Sequence, residues 1–291
     1  MARLARSISQ VKQRKNRQSL RKAEALQLRA LRLTLQGKYS RAAAAYRTAI
    51  ALASRIPSPD RTVLAALLNN FGVLSKYAGQ FAQAKELYER AGKLMPLDDP
   101  HFRQSRATLY HNLAGLAQAR GQYARALQHA RRGIRLRGSP RRGDALSLLA
   151  DQVALAVILV ELGKLREANA IYLRALRAYR RKFGTNHYET ASLLSNLGAL
   201  YLKAGRLDKA EQTLRRAARV LEDVLGRNHP RLATVLNNLA VVCVGRGKSV
   251  EADALYARVL RLLERQSRPT YPSIALVRAN RRKLQTKLKA G

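Results

Sequence analysis

The sequence predicts an all-α fold built from repeated helical hairpins, and three regular spacings support this prediction. Six glycines recur every 42 residues, at Gly37, Gly79, Gly121, Gly163, Gly205 and Gly247. An alanine follows each glycine by five positions, at Ala42, Ala84, Ala126, Ala168, Ala210 and Ala252. A small residue precedes each glycine by seven positions, at Ala30, Gly72, Ala114, Ala156, Gly198 and Ala240. Around these positions, apolar residues recur at spacings of three and four, which is typical of amphipathic helices.

Each repeated position has a physical reason within a helix–turn–helix. A glycine just past the first helix can adopt the left-handed backbone conformation that ends a helix. The small residues on either side are expected where the two antiparallel helices approach most closely, because larger side chains would force them apart. Nine positions after four of the glycines stands a tyrosine that can fill the space between hairpins. These tyrosines are Tyr46, Tyr88, Tyr172 and Tyr256.

This pattern resembles the tetratricopeptide repeat (TPR), whose usual unit is about 34 residues. The longer period of 42 residues adds roughly one turn to each helix and resembles the repeats of kinesin light chains. That likeness is greatest in residues 183–187 with 194–198 and in residues 225–230 with 236–240. The resemblance implies a right-handed superhelical α-solenoid of six TPR-type helix-turn-helix repeats plus a C-terminal capping helix.

The chain divides into three predicted segments. Residues 1–22 form a basic N-terminal tail or an extension of the first helix, and residues 23–272 hold the six repeats. Residues 273–291 contain the capping helix and the basic C-terminus. In this last segment Arg281 and Arg282 replace the leucine and small residue of the repeat, which suits a terminal unit with a polar outer surface.

The charge is strongly positive, with 56 Lys and Arg against 18 Asp and Glu and a formal net charge of +38. Such a field attracts polyanions, although a compositional bias towards arginine is an alternative source of the charge. The longest apolar run, residues 153–160, is too short to span a bilayer, and no secretory signal is visible. We therefore expect a cytoplasmic monomer, with association with the nucleus or nucleoid as an alternative location.

One candidate site lies on the first helices, which in TPR proteins line the concave surface. Two adjacent columns of these helices carry polar residues, namely Asn69, Asn70, His111, Asn112, Asn196, Asn237, Asn238 and Asn280. An asparagine amide both donates and accepts hydrogen bonds, so a row of them can pair with the backbone of an extended peptide. Alternatively, these side chains bond within the solenoid or face water. The leading prediction is a non-enzymatic adaptor that binds a peptide or partner protein in this groove.

A second candidate site lies on the second helices, which form the convex surface of TPR proteins. The residues predicted to bind polyanions there are Arg131, Arg132, Arg135, Arg174, Arg177, Arg215, Arg216 and Arg219. Non-specific RNA or DNA binding is thus the alternative function. Base stacking is not expected, because there is no tryptophan and most tyrosines occupy packing positions. We find no motif for a catalytic, metal or cofactor site, and His187 and His229 share one loop position, which indicates a structural role.

Overall fold

The computed structural model describes residues 2–56, 61–138, 145–264 and 274–290, and within them the chain is helical, as predicted, without a β-strand. A short 3₁₀ turn, Pro100–Phe102, precedes the fifth of thirteen described α-helices. These helices are α1 (Ala2–Leu35), α2 (Tyr39–Ser54), α3 (Arg61–Tyr77), α4 (Phe81–Lys93), α5 (Arg103–Ala119), α6 (Tyr123–Arg137), α7 (Ala145–Glu161), α8 (Leu165–Phe183), α9 (Tyr188–Lys203), α10 (Leu207–Leu225), α11 (Leu232–Gly245), α12 (Ser249–Glu264) and α13 (Ile274–Ala290).

The helices form two compact units, residues 1–158 and residues 159–291. In the first unit, α1 packs on α2, α3 on α4, and α5 on α6, and the first two of these hairpins each contact the next one along the chain. In the second unit, α9 pairs with α10 and α11 with α12. Helix α8 packs on α9, α10 packs on α11, and α13 closes the array against α12. Stacked hairpins of this kind are the predicted TPR-type solenoid fold.

The six repeat glycines end the first helices as predicted. Their φ angles lie between 71° and 76°, in the left-handed region where residues with a Cβ are strained. At Gly205, the amide donates to the Leu202 carbonyl, while the Arg206 amide donates to the Tyr201 carbonyl. These two bonds satisfy carbonyl groups that the end of a helix would leave without partners. The second helix can therefore begin only two residues after the glycine.

The small repeat positions lie at close helix contacts. All six alanines that follow the glycines are 0% exposed. An added Cβ at Gly72 would lie 2.5 Å from the Tyr88 ring, and one at Gly198 would lie 2.5 Å from Leu214. The tyrosines at the predicted packing position, of which Tyr88 is one, are each at most 2% exposed. The repeated residues are therefore those that pack inside each hairpin and against its neighbours.

Replacing Ala168 by leucine should destabilise the second unit by about 1–3 kcal/mol, because overpacking a filled contact forces the helices apart. Ala168 is 0% exposed, whereas Ala170 on the same helix is exposed and provides a matched control. The measurement is the free energy of urea unfolding, followed by circular dichroism. Equal unfolding midpoints for the Ala168→Leu and Ala170→Leu variants would contradict the assigned packing.

The two ends of the chain and the single cysteine complete the description. Helix α1 includes residues 2–22 of the basic N-terminal segment, and α13 occupies most of the predicted cap. Cys243 is fully buried in α11, where burial raises the pKa of its thiol to about 11, as expected for a residue that packs rather than reacts. None of the described helices combines the length and apolarity needed to cross a membrane.

Candidate binding surfaces

The first-helix polar columns divide into paired and open side chains in the first unit. The Asn112 amide Nδ2 donates to Asn69 Oδ1 at 2.9 Å and so links α5 to α3. His111 Nδ1 lies 2.8 Å from Asp151 Oδ1 and links α5 to α7. Asn70 is half-buried and has no side-chain partner among the described residues. Three of the four predicted residues in this unit therefore stabilise contacts between first helices, and Asn70 presents an open amide.

Asp151 is a buried acid that the sequence analysis did not identify. It is 6% exposed, and Arg137 Nε donates to its Oδ2 at 2.5 Å. Burial would raise the pKa of Asp151, but the hydrogen bonds from His111 and Arg137 lower it below its ordinary value. The sequence contained a signal for it, because the equivalent positions of the other repeats are all apolar: Ala25 in the first repeat, and leucine or valine in the other four. Those residues are Leu67, Leu109, Leu193 and Val235.

The second unit leaves more of the predicted amides open. Asn196 on α9, Asn238 on α11 and Asn280 on α13 are half-buried, and none has a side-chain hydrogen bond to another described residue. Asn237 is only 4% exposed, and its Oδ1 is buried without a hydrogen-bond partner. Helices α9 and α11 contact one another directly. Asn196 and Asn238 therefore offer two open amides on neighbouring first helices.

The second helices carry two columns of cations at the repeat spacing, which we call the basic ladder. Its members are Arg90, Arg132, Arg174, Arg216 and Arg258 in one column, and Lys93, Arg135, Arg177, Arg219 and Arg261 in the other. All of them are exposed except Arg258, which is half-buried. Six of the eight predicted polyanion-binding residues belong to this ladder. These six arginines recur at the 42-residue spacing, and this feature of the sequence could have distinguished them from Arg131 and Arg215.

The remaining two predicted arginines, Arg131 and Arg215, differ from the ladder. Arg131 is exposed beside it, whereas Arg215 Nη2 lies 2.8 Å from Glu211 and 2.7 Å from Glu251. Glu211 is 8% exposed, and Arg246 and Lys248 also contact its carboxylate. Arg215 therefore belongs to a charge cluster that joins α10 to the α11–α12 hairpin.

The loop histidines have the structural role that their repeated position indicates. The Glu189 amide donates to His187 Nδ1 and the Arg231 amide donates to His229 Nδ1, each at 3.2 Å. Both rings therefore cap the turn that precedes a first helix. In the described part of the chain, no three His, Cys, Asp or Glu side chains are grouped so that they could hold a metal ion.

Comparison with known proteins places this geometry in a family. The family model of the tetratricopeptide repeat matches residues 21–95, 148–223 and 189–265, and a second model of the same repeat matches residues 106–138. These matches cover well over half of the chain. A search of curated proteins finds no match.

Solved structures of several repeat proteins share the fold. BtubC (BKLC) from P. vanneervenii is 23% identical with a TM-score of 0.54, over 86% of this chain and 90% of its own. The kinesin light chain TPR-like repeats from Podosopora anserina are 22% identical with a TM-score of 0.54, over 70% of this chain and 97% of theirs. The apo form of RapI is 14% identical with a TM-score of 0.60, over 92% of this chain and 99% of its own.

At these identities the structural likeness shows the fold, while the family model rests on the sequence of the repeats themselves. Both agree with the turn glycines, buried alanines and stacked hairpins described above. The chain belongs to the tetratricopeptide repeat family, with repeats of 42 residues.

Proposed function

We propose that the protein is a non-enzymatic adaptor that binds an extended peptide of a partner protein along its first helices. The TPR fold is consistent with an adaptor in protein–protein interactions. The observation that carries the finer proposal is the set of half-buried amides in the second unit, at Asn196, Asn238 and Asn280, which have no side-chain partners in the described residues. In the first unit, Asn70 is likewise half-buried without a side-chain partner there. A half-buried amide without a partner favours a ligand that supplies both a donor and an acceptor.

The spacing of neighbouring first helices suits a peptide backbone. Packed helices lie about 8–10 Å apart, and an extended chain advances about 3.3 Å per residue. Asn196 and Asn238, on contacting helices, can thus meet backbone groups about three residues apart. Because these bonds go to the backbone, the ligand sequence can vary widely.

Polyanion binding is the second candidate function, and the basic ladder favours it. Phosphate contacts need lysine and arginine, and their affinity falls steeply as salt increases. The ladder supplies a cation pair in each of five consecutive repeats, within a chain of net charge +38. This activity would use the second helices and leave the asparagine face free.

One experiment separates the two candidates. Peptides selected from a random library, and a single-stranded oligonucleotide, are tested for binding at 0.1 M and 0.5 M NaCl. The Asn196→Ala/Asn238→Ala variant is expected to lose peptide binding about tenfold or more at both salt concentrations. The control is Asn228→Ala, which lies exposed in the α10–α11 loop. Peptide binding that survives the double substitution but disappears in 0.5 M NaCl would refute the adaptor proposal and support the second candidate.

A further inference from the structure

A cavity of about 650 Å³ opens between α8 and α10 in the second unit, with α9 as its floor. Leu176, Leu194, Leu197 and Val220 provide an apolar surface, and Tyr201 lies beside them. The cavity is separate from the asparagine face, because α9 presents different sides to the two. Around the helix, Asn196 is about 160° from Leu194 and about 100° from Leu197, the two α9 leucines that line the cavity.

Three arginines, Arg180, Arg216 and Arg219, line the same cavity. Arg180 Nε is buried and has no hydrogen-bond partner. In the described residues, none of the three guanidinium groups lies within ion-pair distance of a carboxylate. Burial and the like charge of Arg216 lower the pKa of Arg180. The cavity thus contains a desolvated donor and three guanidinium groups, none of which forms an ion pair with Asp223, the one acidic residue of the lining.

The next repeat has a carboxylate at the position equivalent to Arg180. The residues 42 positions after Arg180 and Arg216 are Glu222 and Arg258. Glu222 Oε1 and Arg258 Nη1 form an ion pair of 2.6 Å. In the cavity between α8 and α10, an arginine therefore stands where the following repeat has the carboxylate that neutralises its partner. A carboxylate supplied from outside would restore the arrangement.

We propose that this cavity binds an acidic peptide segment that carries a large apolar side chain next to its carboxylates. One carboxylate takes the place that Glu222 has in the next repeat and bridges Arg180 and Arg216, while the apolar side chain packs on Leu176 and Leu197. The aliphatic floor favours a peptide over a nucleic acid, because a phosphate backbone needs cations but no apolar surface.

This site is independent of the asparagine face and goes beyond the proposed function. If substitution of Arg180 abolished binding at the cavity only, the proposal that a peptide binds along the first helices would be unaffected. Conversely, the Asn196→Ala/Asn238→Ala variant should retain the acidic-peptide site. The two proposals can therefore fail separately.

The test uses a labelled eight-residue peptide of alternating Glu and Leu, with a matched Glu–Ser peptide and a thymidine oligonucleotide as comparisons, in 0.15 M NaCl. The informative variant is Arg180→Glu, in which the new carboxylate can pair with Arg216 as Glu222 does with Arg258. The matched control is Arg181→Glu, which makes the same charge change at an exposed position outside both the cavity lining and the basic ladder. Urea unfolding of both variants checks that the fold is retained.

We expect Arg180→Glu to weaken binding of the Glu–Leu peptide by about tenfold or more, and Arg181→Glu by less than about threefold. The Glu–Ser peptide should bind at least about fivefold more weakly than the Glu–Leu peptide. Equal losses in the two variants, equal binding of the two peptides, or no binding to the unaltered protein would overturn the proposal. Arg180-dependent binding of the oligonucleotide alone would overturn it in favour of a nucleic-acid site.

Discussion

Replacement of Asp151 by alanine is expected to destabilise the first unit by about 3–5 kcal/mol, because it leaves a buried guanidinium without its counter-ion. Arg137 is 9% exposed at its side chain and donates to Asp151, which also holds His111. Removing the carboxylate therefore breaks the links from α7 to both α5 and α6. Urea unfolding monitored by circular dichroism measures the change in free energy.

The exposed ion pair between Glu161 and Lys203 provides the control for Asp151. Both side chains are about 40% exposed, and Glu161→Ala should cost no more than about 1 kcal/mol. Since the folded-state pKa of Asp151 is lowered, its contribution is present above about pH 4 and is lost as the pH falls through the folded-state value. The difference between the unaltered protein and Asp151→Ala should thus shrink below pH 4. A difference under 1 kcal/mol at pH 7 would contradict the buried pair.

Replacement of Glu211 by alanine is the second substitution with a large expected effect, again about 3–5 kcal/mol. The Glu211 carboxylate, 8% exposed as a residue, is contacted by Arg215, Arg246 and Lys248. Its removal leaves three cations close together and breaks the links from α10 to Arg246 and Lys248. The loss should appear in urea unfolding and as faster hydrogen exchange in α10–α12.

Asp208 is a matched control for Glu211, since it also contacts Arg246 but is 88% exposed at its side chain. Asp208→Ala should change the stability by less than about 1 kcal/mol. The hydrogen bond from Lys248 is the main cause that lowers the pKa of Glu211, so its stabilisation is present above about pH 4.3 and is lost on acidification. If the Asp208 and Glu211 variants were equally stable at pH 7, the cluster would not depend on its buried carboxylate.

The repeat register could be predicted from the sequence because it rests on local constraints. The positive φ at Gly205 favours glycine, and the close contact at Gly198 leaves no room for a large side chain. Equivalent positions with the same constraints recur every 42 residues. Burial of Ala168 and Tyr172 follows from the same register, since their places on the hairpin are fixed once the turn is fixed. The spacing therefore yielded the helices, the turns and the core.

The candidate site was only partly predictable, because the state of a polar side chain depends on distant partners. Asn112 and Asn238 occupy the same repeat position, yet Asn112 bonds to Asn69 while Asn238 stays open. Arg215 and Arg216 are neighbours in sequence, but the first joins a buried cluster and the second lines a cavity. The 42-residue spacing separates Arg216 from Arg215, but it does not show which of the two is neutralised, and it does not distinguish Asn112 from Asn238.

The repeated residues alone were enough to predict the helical hairpins and their close contacts. They were also enough to predict on which helices asparagine and arginine recur. The packed structure was needed to show which side chains are already neutralised or hydrogen-bonded. Asp151 is neutralised by Arg137, 14 positions earlier, and Asn112 bonds to Asn69, 43 positions earlier. The helical register depends on steric constraints within a single turn and a single helix–helix contact. The residue types that satisfy these constraints therefore recur at a fixed spacing in the sequence. Hydrogen bonds and ion pairs require atoms within about 3–4 Å, a condition met only after the helices have packed.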